Sequence, residues 1–208
     1  MNIVFDMNHL ENLKKLNNDY FVLRHGESKA NVSKVIVTSL ENGLKEEYSL
    51  SINGEEQVMI SVGRAKDGGF LDEQTIIYSS PFSRTKKTAE IAKKVLGIEE
   101  KINFDERLVE RFFGDLEGMD YSVHQKIWDV DEKNPDHKEK NVESTREVLK
   151  RMTSVIKDLE EKYKGKKILL ISHGDPLRIL QTGFEKISSG LHKQFSLKTA
   201  EIKKMELK

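Results

Sequence analysis

Two of the six histidines occupy the same setting in the sequence. His25 and His173 each follow directly after a short apolar run that predicts a buried strand, and each precedes a glycine. In open, parallel α/β sheets the ligand crevice lies at the carboxyl ends of the strands, so both imidazoles face one crevice if their strands are neighbours. A neutral imidazole presents a free lone pair, which suits a nucleophile. The other histidines lack this setting and are predicted to lie on the surface: His9, His124, His137 and His192.

Arginine is used sparingly in this chain. Lysine and arginine together number 35, and only eight of these residues are arginine. Arginine carries a planar guanidinium whose five donors can fork onto the oxygens of an anion, whereas lysine offers a point charge. In a chain that overwhelmingly uses lysine, each arginine is expected to be present because its planar guanidinium is needed. Arg24 directly precedes His25, and Arg84 follows Ser79-Ser80-Pro81, where the second predicted strand ends.

Four short blocks contain these histidines and arginines. The first is Arg-His-Gly-Glu-Ser at residues 24–28 with Asn31 three positions later, and the second is Ser-Ser-Pro-Phe-Ser-Arg-Thr-Lys-Lys-Thr-Ala at 79–89. The third is Glu-Arg-Phe-Phe-Gly-Asp-Leu-Glu-Gly at 110–118, and the fourth is Ser-His-Gly at 172–174. In this order they resemble the histidine phosphatase superfamily, also called the phosphoglycerate mutase-like family. The resemblance spans about residues 19–183, and four ordered blocks make it specific.

The resemblance implies phosphoryl transfer through a phosphohistidine. His25 would carry the phosphoryl group, His173 would donate to it, and Arg24 and Arg84 would bind its oxygens. Adjacent positive charge lowers the pKa of His25 and keeps its ring unprotonated. Because the arginines and histidines supply the positive charge that stabilises a transferring phosphoryl group, no metal or cofactor is expected.

An acid must protonate the leaving alcohol, and the register of the third block places Glu110 in that role. Beside a phosphorylated site its pKa is expected to rise, so that it first gives a proton and then activates water. Glu117 is a rival carboxylate in the same loop. The alternative for Glu110 is an ordinary surface carboxylate on a charged loop.

Four further residues are predicted to contact the substrate: Asn31, Ser28, Arg111 and Gly174. The side chain of Asn31 and the amide of Gly174 would add hydrogen bonds to the phosphoryl oxygens. Ser28 either binds phosphate or caps the next helical turn. Arg111 either touches the substrate or pairs with a neighbouring carboxylate, and Arg178 is expected to be structural.

Strands and helices alternate along the chain, which predicts a single three-layer α/β domain with a mostly parallel central sheet flanked by helices. Strands are predicted at 20–23, 75–78, 101–104 and 168–171, with one or two edge strands in 192–207. Helices are predicted at 55–66, 82–96 and 143–164 and from residue 176. Residues 1–18 form a polar, helix-prone extension ahead of the domain at 19–208. Residues 119–142 are predicted to be an irregular, charged insertion or lid.

Composition excludes several function classes. The net charge is zero, so no global positive field attracts nucleic acid or an anionic membrane. Cysteine is absent, which removes disulfides and thiolate chemistry, and no apolar run is long enough to span a bilayer. The N-terminal residues lack the pattern of a signal peptide. The expected setting is the cytoplasm and the expected partner a small phosphorylated substrate; the oligomeric state stays open.

Three functions fit these residues. The first is a metal-independent phosphatase, and the second a phosphoglycerate mutase. Mutases carry paired arginines and a proline cluster after the acid loop, whereas residues 119–142 hold no arginine, one proline, six acids and four lysines. Mutases also favour Asn-Ser where this chain has Asp175-Pro176. Both departures favour hydrolysis. The third function is a non-catalytic phospholigand-binding protein, although no catalytic residue of the motif is lost.

Overall fold

Five strands build one sheet in the computed structural model, which describes residues 8–208; predictions for residues 1–7 lie outside the described residues. The strands are β1 (Asp19–Arg24), β2 (Ile76–Ser79), β3 (Asn103–Phe104), β4 (Lys167–Ser172) and β5 (Ile202–Met205). Their order across the sheet is β3-β2-β4-β1-β5, with only β5 antiparallel. β4, the most apolar run, is central as predicted, and β1 lies directly beside it.

Helices cover both faces of the sheet. They are α1 (Lys29–Val32), α2 (Leu40–Gly43), α3 (Ile52–Asp67), α4 (Ser83–Leu96), α5 (His124–Lys133), α6 (Thr145–Lys162) and α7 (Gly174–Phe184). Alternate residues of a strand point to opposite faces. Tyr20 and Val22 of β1 therefore pack against α6 and α7, while Phe21 and Leu23 pack against α3 and α4. The predicted three-layer α/β fold is confirmed.

Local sequence signals fix the ends of the main helices. Ser144 caps α6 in a reciprocal capping box with Glu147. Gly97 ends α4 with a φ of 79°, a left-handed conformation that favours glycine. Gly26 allows the loop after β1 to lie against the backbone of Gly54 in α3, where a β-carbon would clash with the Gly54 carbonyl. This close contact places the residue after His25 against the start of α3.

Two segments differ from the sequence-based expectation. Residues 119–142 are not irregular throughout, because α5 and the short 3₁₀ turn Tyr121–Val123 lie within them. Residues 8–18 form turns rather than a helix; Leu10 is fully buried in the core, and the side-chain amide of Asn8 donates to the carbonyl of Gly183 over 3.0 Å. The prediction of one or two edge strands in 192–207 is confirmed by the single edge strand β5, which the 3₁₀ turn Ser189–Gln194 precedes. Among the described residues, no helix combines the length and the apolar character needed to span a membrane.

Candidate active site

His25 lies at the carboxyl end of β1, and its ring is almost completely buried. Its Nδ1 lies 2.7 Å from the carbonyl oxygen of Gly26, which can only accept, so Nδ1 carries the proton and Nε2 holds the lone pair. Burial, together with the guanidiniums of Arg84 and Arg24, lowers the pKa of His25 well below its ordinary value. The ring is therefore uncharged at neutral pH, with a free Nε2.

Two arginines lie beside this ring, each held by one backbone carbonyl. Arg24 Nη1 donates to the carbonyl of Leu197, and Arg84 Nη2 donates to that of Val37, both over 2.9 Å. The buried Arg24 Nε and Arg84 Nη1 have no hydrogen-bond partner within residues 8–208. A buried donor without a partner costs about 1–3 kcal/mol. An anion beside His25 would satisfy both donors.

His173 follows β4 and lies next to His25, with ring centroids 5.2 Å apart, as expected from neighbouring strands. Its Nδ1 accepts from Arg84 Nε over 3.2 Å, so the proton lies on Nε2, which is 2.9 Å from the hydroxyl of Ser80. Burial and the charge of Arg84 lower its pKa well below the ordinary value. Both ring nitrogens are thus engaged by protein groups.

Glu110 faces the same cavity from the loop between the 3₁₀ turns Glu106–Leu108 and Gly114–Leu116. One carboxyl oxygen accepts from the backbone N–H of Arg111 over 2.9 Å. Burial and the nearby carboxylate of Asp175 raise the pKa of Glu110 to about 7. An acid with such a pKa can both give and take a proton near neutral pH.

Glu117, the rival acid, is fully occupied elsewhere. Its carboxylate accepts from the backbone and hydroxyl groups of Thr38 and Ser39 and from the side chain of Asn42, over 2.7–3.1 Å. Burial opposes the charge, but hydrogen bonds from Asn42 and Thr38 outweigh it and lower the pKa of Glu117. Glu117 therefore anchors the segment around α2 as a carboxylate and does not line the cavity that Glu110 faces.

The cavity has a volume of about 380 Å³. Of the residues predicted to act in catalysis or binding, six line it: Arg24, His25, Asn31, Arg84, Glu110 and Gly174. The side-chain amide of Asn31 donates to the hydroxyl of Tyr121 over 2.6 Å. Ser28 does not line the cavity: it accepts from the Asn31 backbone and caps α1, the second of its two predicted alternatives.

Arg111 also lies outside the cavity lining and is completely buried. Its two terminal nitrogens each donate to one oxygen of Asp131 over 2.7 Å, and its Nε donates to the carbonyl of Glu143. The structure thus favours the pairing alternative over substrate contact. His137 and His192, predicted to be on the surface, are instead buried against the same Asp131 carboxylate, at 2.7 and 3.0 Å.

An aromatic wall that was not predicted closes the outer side of the cavity. His124 stacks between Tyr121 and Trp128, with centroid distances of 5.1 and 5.5 Å, and all three residues line the cavity. The prediction that His124 lies on the surface was therefore wrong. The spacing of four between His124 and Trp128, which puts both on one helix face, is the signal that could have found them.

Arg178 is a third cavity-lining arginine and was expected to be only structural. Its guanidinium lies 4.2 Å from the centre of the Trp128 ring and pairs with Asp175. The Trp128 Nε1 donates to the other oxygen of Asp175 over 3.0 Å. Because arginine is scarce in this chain, the arginine at position 178 is itself the signal that could have indicated a place in the site. Within residues 8–208, no group of three or more histidine or acidic side chains is arranged to hold a metal ion.

A mostly parallel sheet with two neighbouring strand-end histidines, of which His25 lines a cavity together with Arg24 and Arg84, is typical of the phosphoglycerate mutase-like class of α/β folds. His173 lies behind His25 and does not itself line the cavity. The sequence model of the histidine phosphatase superfamily (branch 1) matches residues 20–208. Because this match covers nearly the whole chain, the protein belongs to the histidine phosphatase superfamily.

Two similar sequences come from bacteria. The protein named phosphatase PhoE of Bacillus subtilis is 29% identical over 161 residues, which cover 77% of this chain and 74% of that one. The probable phosphoglycerate mutase GpmB of Escherichia coli is 27% identical over 196 residues, which cover 89% of this chain and 83% of that one. The relatives thus carry both names, phosphatase and mutase.

Solved structures share the fold. A phosphoserine phosphatase variant of Entamoeba histolytica in complex with phosphoserine has a TM-score of 0.72 at 22% identity, covering 90% of this chain and 89% of that one. A mycobacterial glucosyl-3-phosphoglycerate phosphatase in complex with VO3 has a TM-score of 0.73 at 20% identity, covering 89% and 90%. At this level of identity the likeness extends to the fold alone.

Proposed function

We propose that this protein is a metal-independent phosphatase that hydrolyses a small phosphomonoester through a phosphohistidine on His25. One observation carries the proposal. The uncharged ring of His25 keeps a free Nε2 beside two buried guanidiniums, Arg24 and Arg84, whose N–H groups at Arg24 Nε and Arg84 Nη1 have no partner in the described part of the chain. A phosphoryl group would satisfy those donors and present its phosphorus to the lone pair.

The reaction has two steps. His25 Nε2 attacks phosphorus as the phosphorus–oxygen bond to the leaving alcohol breaks, and Glu110 gives its proton to that oxygen. Glu110, now a carboxylate, takes a proton from a water that attacks the phosphohistidine, which releases inorganic phosphate and regenerates both residues. The raised pKa of Glu110, about 7, suits both roles.

The other predicted residues support this transfer. Asn31 and the amide of Gly174 lie on the cavity wall and would donate to the phosphoryl oxygens. For His173 the proposal requires one change, because both of its nitrogens are engaged. In that change a phosphoryl group draws Arg84 Nε onto its oxygens, and the His173 ring proton moves from Nε2 to the freed Nδ1 while the Ser80 hydroxyl turns to donate to Nε2. The Nδ1–H group could then donate to the phosphoryl group.

We further propose that residues 119–142 form the lid of the site and contact the leaving group. Tyr121, His124 and Trp128 supply an aromatic wall, and Arg178 adds a cation beside it. A leaving group bound there would lie between this wall and Glu110.

Hydrolysis of p-nitrophenyl phosphate in the presence of EDTA tests the proposal. The His25→Ala variant should lose this activity, while the control His9→Ala should keep it. Brief exposure to labelled substrate should leave an acid-labile, base-stable phosphoenzyme in wild type and none in His25→Ala. Full activity of His25→Ala would end the proposal.

The same experiments separate the two alternatives. A phosphoglycerate mutase, the function in the name of the Escherichia coli relative, would interconvert 3- and 2-phosphoglycerate faster than it releases phosphate. A non-catalytic phospholigand-binding protein would bind phosphate without forming a phosphoenzyme. We favour the phosphatase because residues 119–142 contribute aromatic side chains to the cavity and contain no arginine.

A further inference from the structure

The hydroxyl of Tyr121 is a polar group in the cavity that the proposed reaction does not use. The ring of Tyr121 belongs to the aromatic wall, and its hydroxyl oxygen accepts from the side-chain amide of Asn31 over 2.6 Å. A phenol hydroxyl can both accept and donate a hydrogen bond. This hydroxyl makes no second hydrogen bond with any residue of the described range 8–208. The direction of the bond with Asn31 therefore decides whether the hydroxyl hydrogen is already used.

The hydrogen bonds of Ser28 fix that direction. Asn31 Oδ1 accepts from the backbone N–H of Ser28 over 2.9 Å and from its hydroxyl over 3.0 Å. Because a backbone N–H can only donate, the side-chain atom that it meets is the oxygen, and the atom that faces Tyr121 is the NH₂ group. Asn31 therefore donates and Tyr121 accepts. The hydroxyl hydrogen of Tyr121 is left without an acceptor in the described part of the chain.

Backbone hydrogen bonds fix Tyr121, which lies near the start of the segment 119–142. The N–H of Tyr121 donates to the carbonyl of Lys34 over 3.0 Å, and the N–H of Gly118 donates to that of Ile36 over 2.8 Å. Both acceptors belong to the loop that follows α1. Because main-chain contacts and the bond at its oxygen both hold the residue, the hydroxyl is a preorganised donor.

The charged groups around the Tyr121 hydroxyl are those of the proposed phosphoryl site. Burial raises the pKa of Tyr121, so the hydroxyl keeps its hydrogen at neutral pH. Among the charged side chains, Arg84 has the largest effect and lowers this pKa, while Glu110 raises it and Arg24 lowers it. Arg24 Nε and Arg84 Nη1 have no hydrogen-bond partner within residues 8–208. The hydroxyl hydrogen and these two N–H groups are thus donors around one cavity that lack an acceptor.

We propose that the Tyr121 hydroxyl donates a hydrogen bond to a non-bridging oxygen of the transferring phosphoryl group. This inference rests on the proposed function, which places the phosphoryl group at His25. A phosphoryl group that binds Arg24 and Arg84 carries the acceptor oxygens that the hydroxyl lacks. Donation from Asn31 polarises the hydroxyl and strengthens the hydrogen bond that it gives. Tyr121 thus contacts both parts of the substrate, the leaving group with its ring and the phosphoryl group with its hydroxyl.

Calorimetric titration with inorganic phosphate tests this contact. Tyr121→Phe removes the hydroxyl and keeps the ring that stacks on His124. Because the variant loses one hydrogen bond to an anion, its affinity for phosphate should fall about 10- to 100-fold. The control Tyr163→Phe removes a hydroxyl that lies 3.3 Å from that of Tyr78, outside the cavity lining, and should bind phosphate as wild type does. Circular dichroism checks that both variants are folded, and an unchanged phosphate affinity in Tyr121→Phe would overturn the proposal.

The leaving group distinguishes a contact with the phosphoryl group from a contact with the leaving oxygen. A donor to a non-bridging oxygen acts on every ester, so Tyr121→Phe should slow p-nitrophenyl phosphate and alkyl phosphates by the same factor. A loss confined to alkyl phosphates is the pattern expected for Glu110→Gln. That pattern in Tyr121→Phe would show that the hydroxyl serves the leaving oxygen, and the proposed contact would be wrong.

Failure of this contact and failure of the proposed function give different results. A wild type that forms a phosphoenzyme, together with a Tyr121→Phe variant that keeps full phosphate affinity, would exclude only the contact. A wild type that forms no phosphoenzyme, together with a variant that binds phosphate more weakly, would exclude the phosphohistidine reaction and support the contact with a bound anion.

Discussion

Replacing Glu110 with glutamine tests the electrostatics of the proposed acid. Glutamine has nearly the same shape, and its carbonyl oxygen can still accept from the Arg111 backbone, as the carboxylate does over 2.9 Å. The substitution therefore removes the ionisable group and leaves the local packing intact. Its effect on stability depends on pH in a direction that follows from the pKa of Glu110.

Burial, with the charge of Asp175, raises the pKa of Glu110 from a usual 4.5 to about 7 in the folded protein. Such a rise corresponds to roughly 3 kcal/mol by linkage. Because the folded state holds this proton more tightly than the unfolded chain, ionised Glu110 destabilises the fold above pH 7, and the cost disappears below pH 4.5. Glu110→Gln should therefore be up to roughly 3 kcal/mol more stable than wild type above pH 7 and equal to it below pH 4.5.

Urea unfolding below pH 4.5 and above pH 7 measures the effect. The fluorescence of Trp128, the single tryptophan, is the probe. Glu117→Gln in the same loop is the matched control. Hydrogen bonds from Asn42 and Thr38 lower the pKa of Glu117, so its charge stabilises the fold above its usual pKa. Glu117→Gln should therefore lose stability at neutral pH, and the loss should shrink as pH falls through the acid range.

Activity gives the second readout. Glu110→Gln should slow alkyl phosphates about 10²–10⁴-fold and p-nitrophenyl phosphate much less, because only a poor leaving group needs the proton. The wild-type rate on alkyl phosphates should fall above pH 7 as the acid ionises. A Glu110→Gln variant that is less stable than wild type at high pH, or that slows both esters equally, would refute the assignment.

Two other predictions concern buried charges. Asp131→Ala leaves the buried Arg111 without its carboxylate partner and should lower the free energy of unfolding, measured in urea, by about 3–5 kcal/mol. The double variant Arg111→Met with Asp131→Leu removes both charges and should lose less stability. Equal losses in the two variants would show that the pairing is unimportant. Inorganic phosphate at about 100 times its dissociation constant should stabilise wild type by about 2.7 kcal/mol. An Arg84→Met variant should lose most of that gain at the same concentration, and an unchanged gain would contradict the placement of the anion.

The frame of the site could be predicted because its signals are local. An apolar run followed by His-Gly indicates a buried strand and its end, and the high apolar content of β4 indicates its central place. The neighbouring positions of β1 and β4 then follow from the fold, and they bring His25 and His173 together. Periodicity also predicts the long helices, since α3, α4 and α6 each bury one stripe of apolar residues.

The outer wall of the cavity could not be predicted in the same way. α5 buries Asp131 rather than a continuous apolar stripe, and Asp131 is held by Arg111 and His192, 20 and 61 residues away. A buried polar network leaves no periodic pattern in the sequence, because each member is stabilised by a partner from another segment. His137 and His192 therefore resemble ordinary surface histidines until the fold places them around one carboxylate.

The arginines show where sequence reasoning reaches its limit. Their scarcity predicts that each arginine is present for its planar guanidinium, and Arg111 and Arg151 confirm this. Each of them binds carboxylate or carbonyl oxygens with several donors, and these contacts position the loop that contains Glu110. The prediction holds equally for Arg24 and Arg84, but these keep buried N–H groups without a partner within residues 8–208. Composition cannot distinguish a guanidinium whose N–H groups all bind other protein groups from one whose N–H groups are left for a ligand. Unmatched donors beside an uncharged imidazole make that distinction, and they are the basis on which we propose that the anion binds at His25.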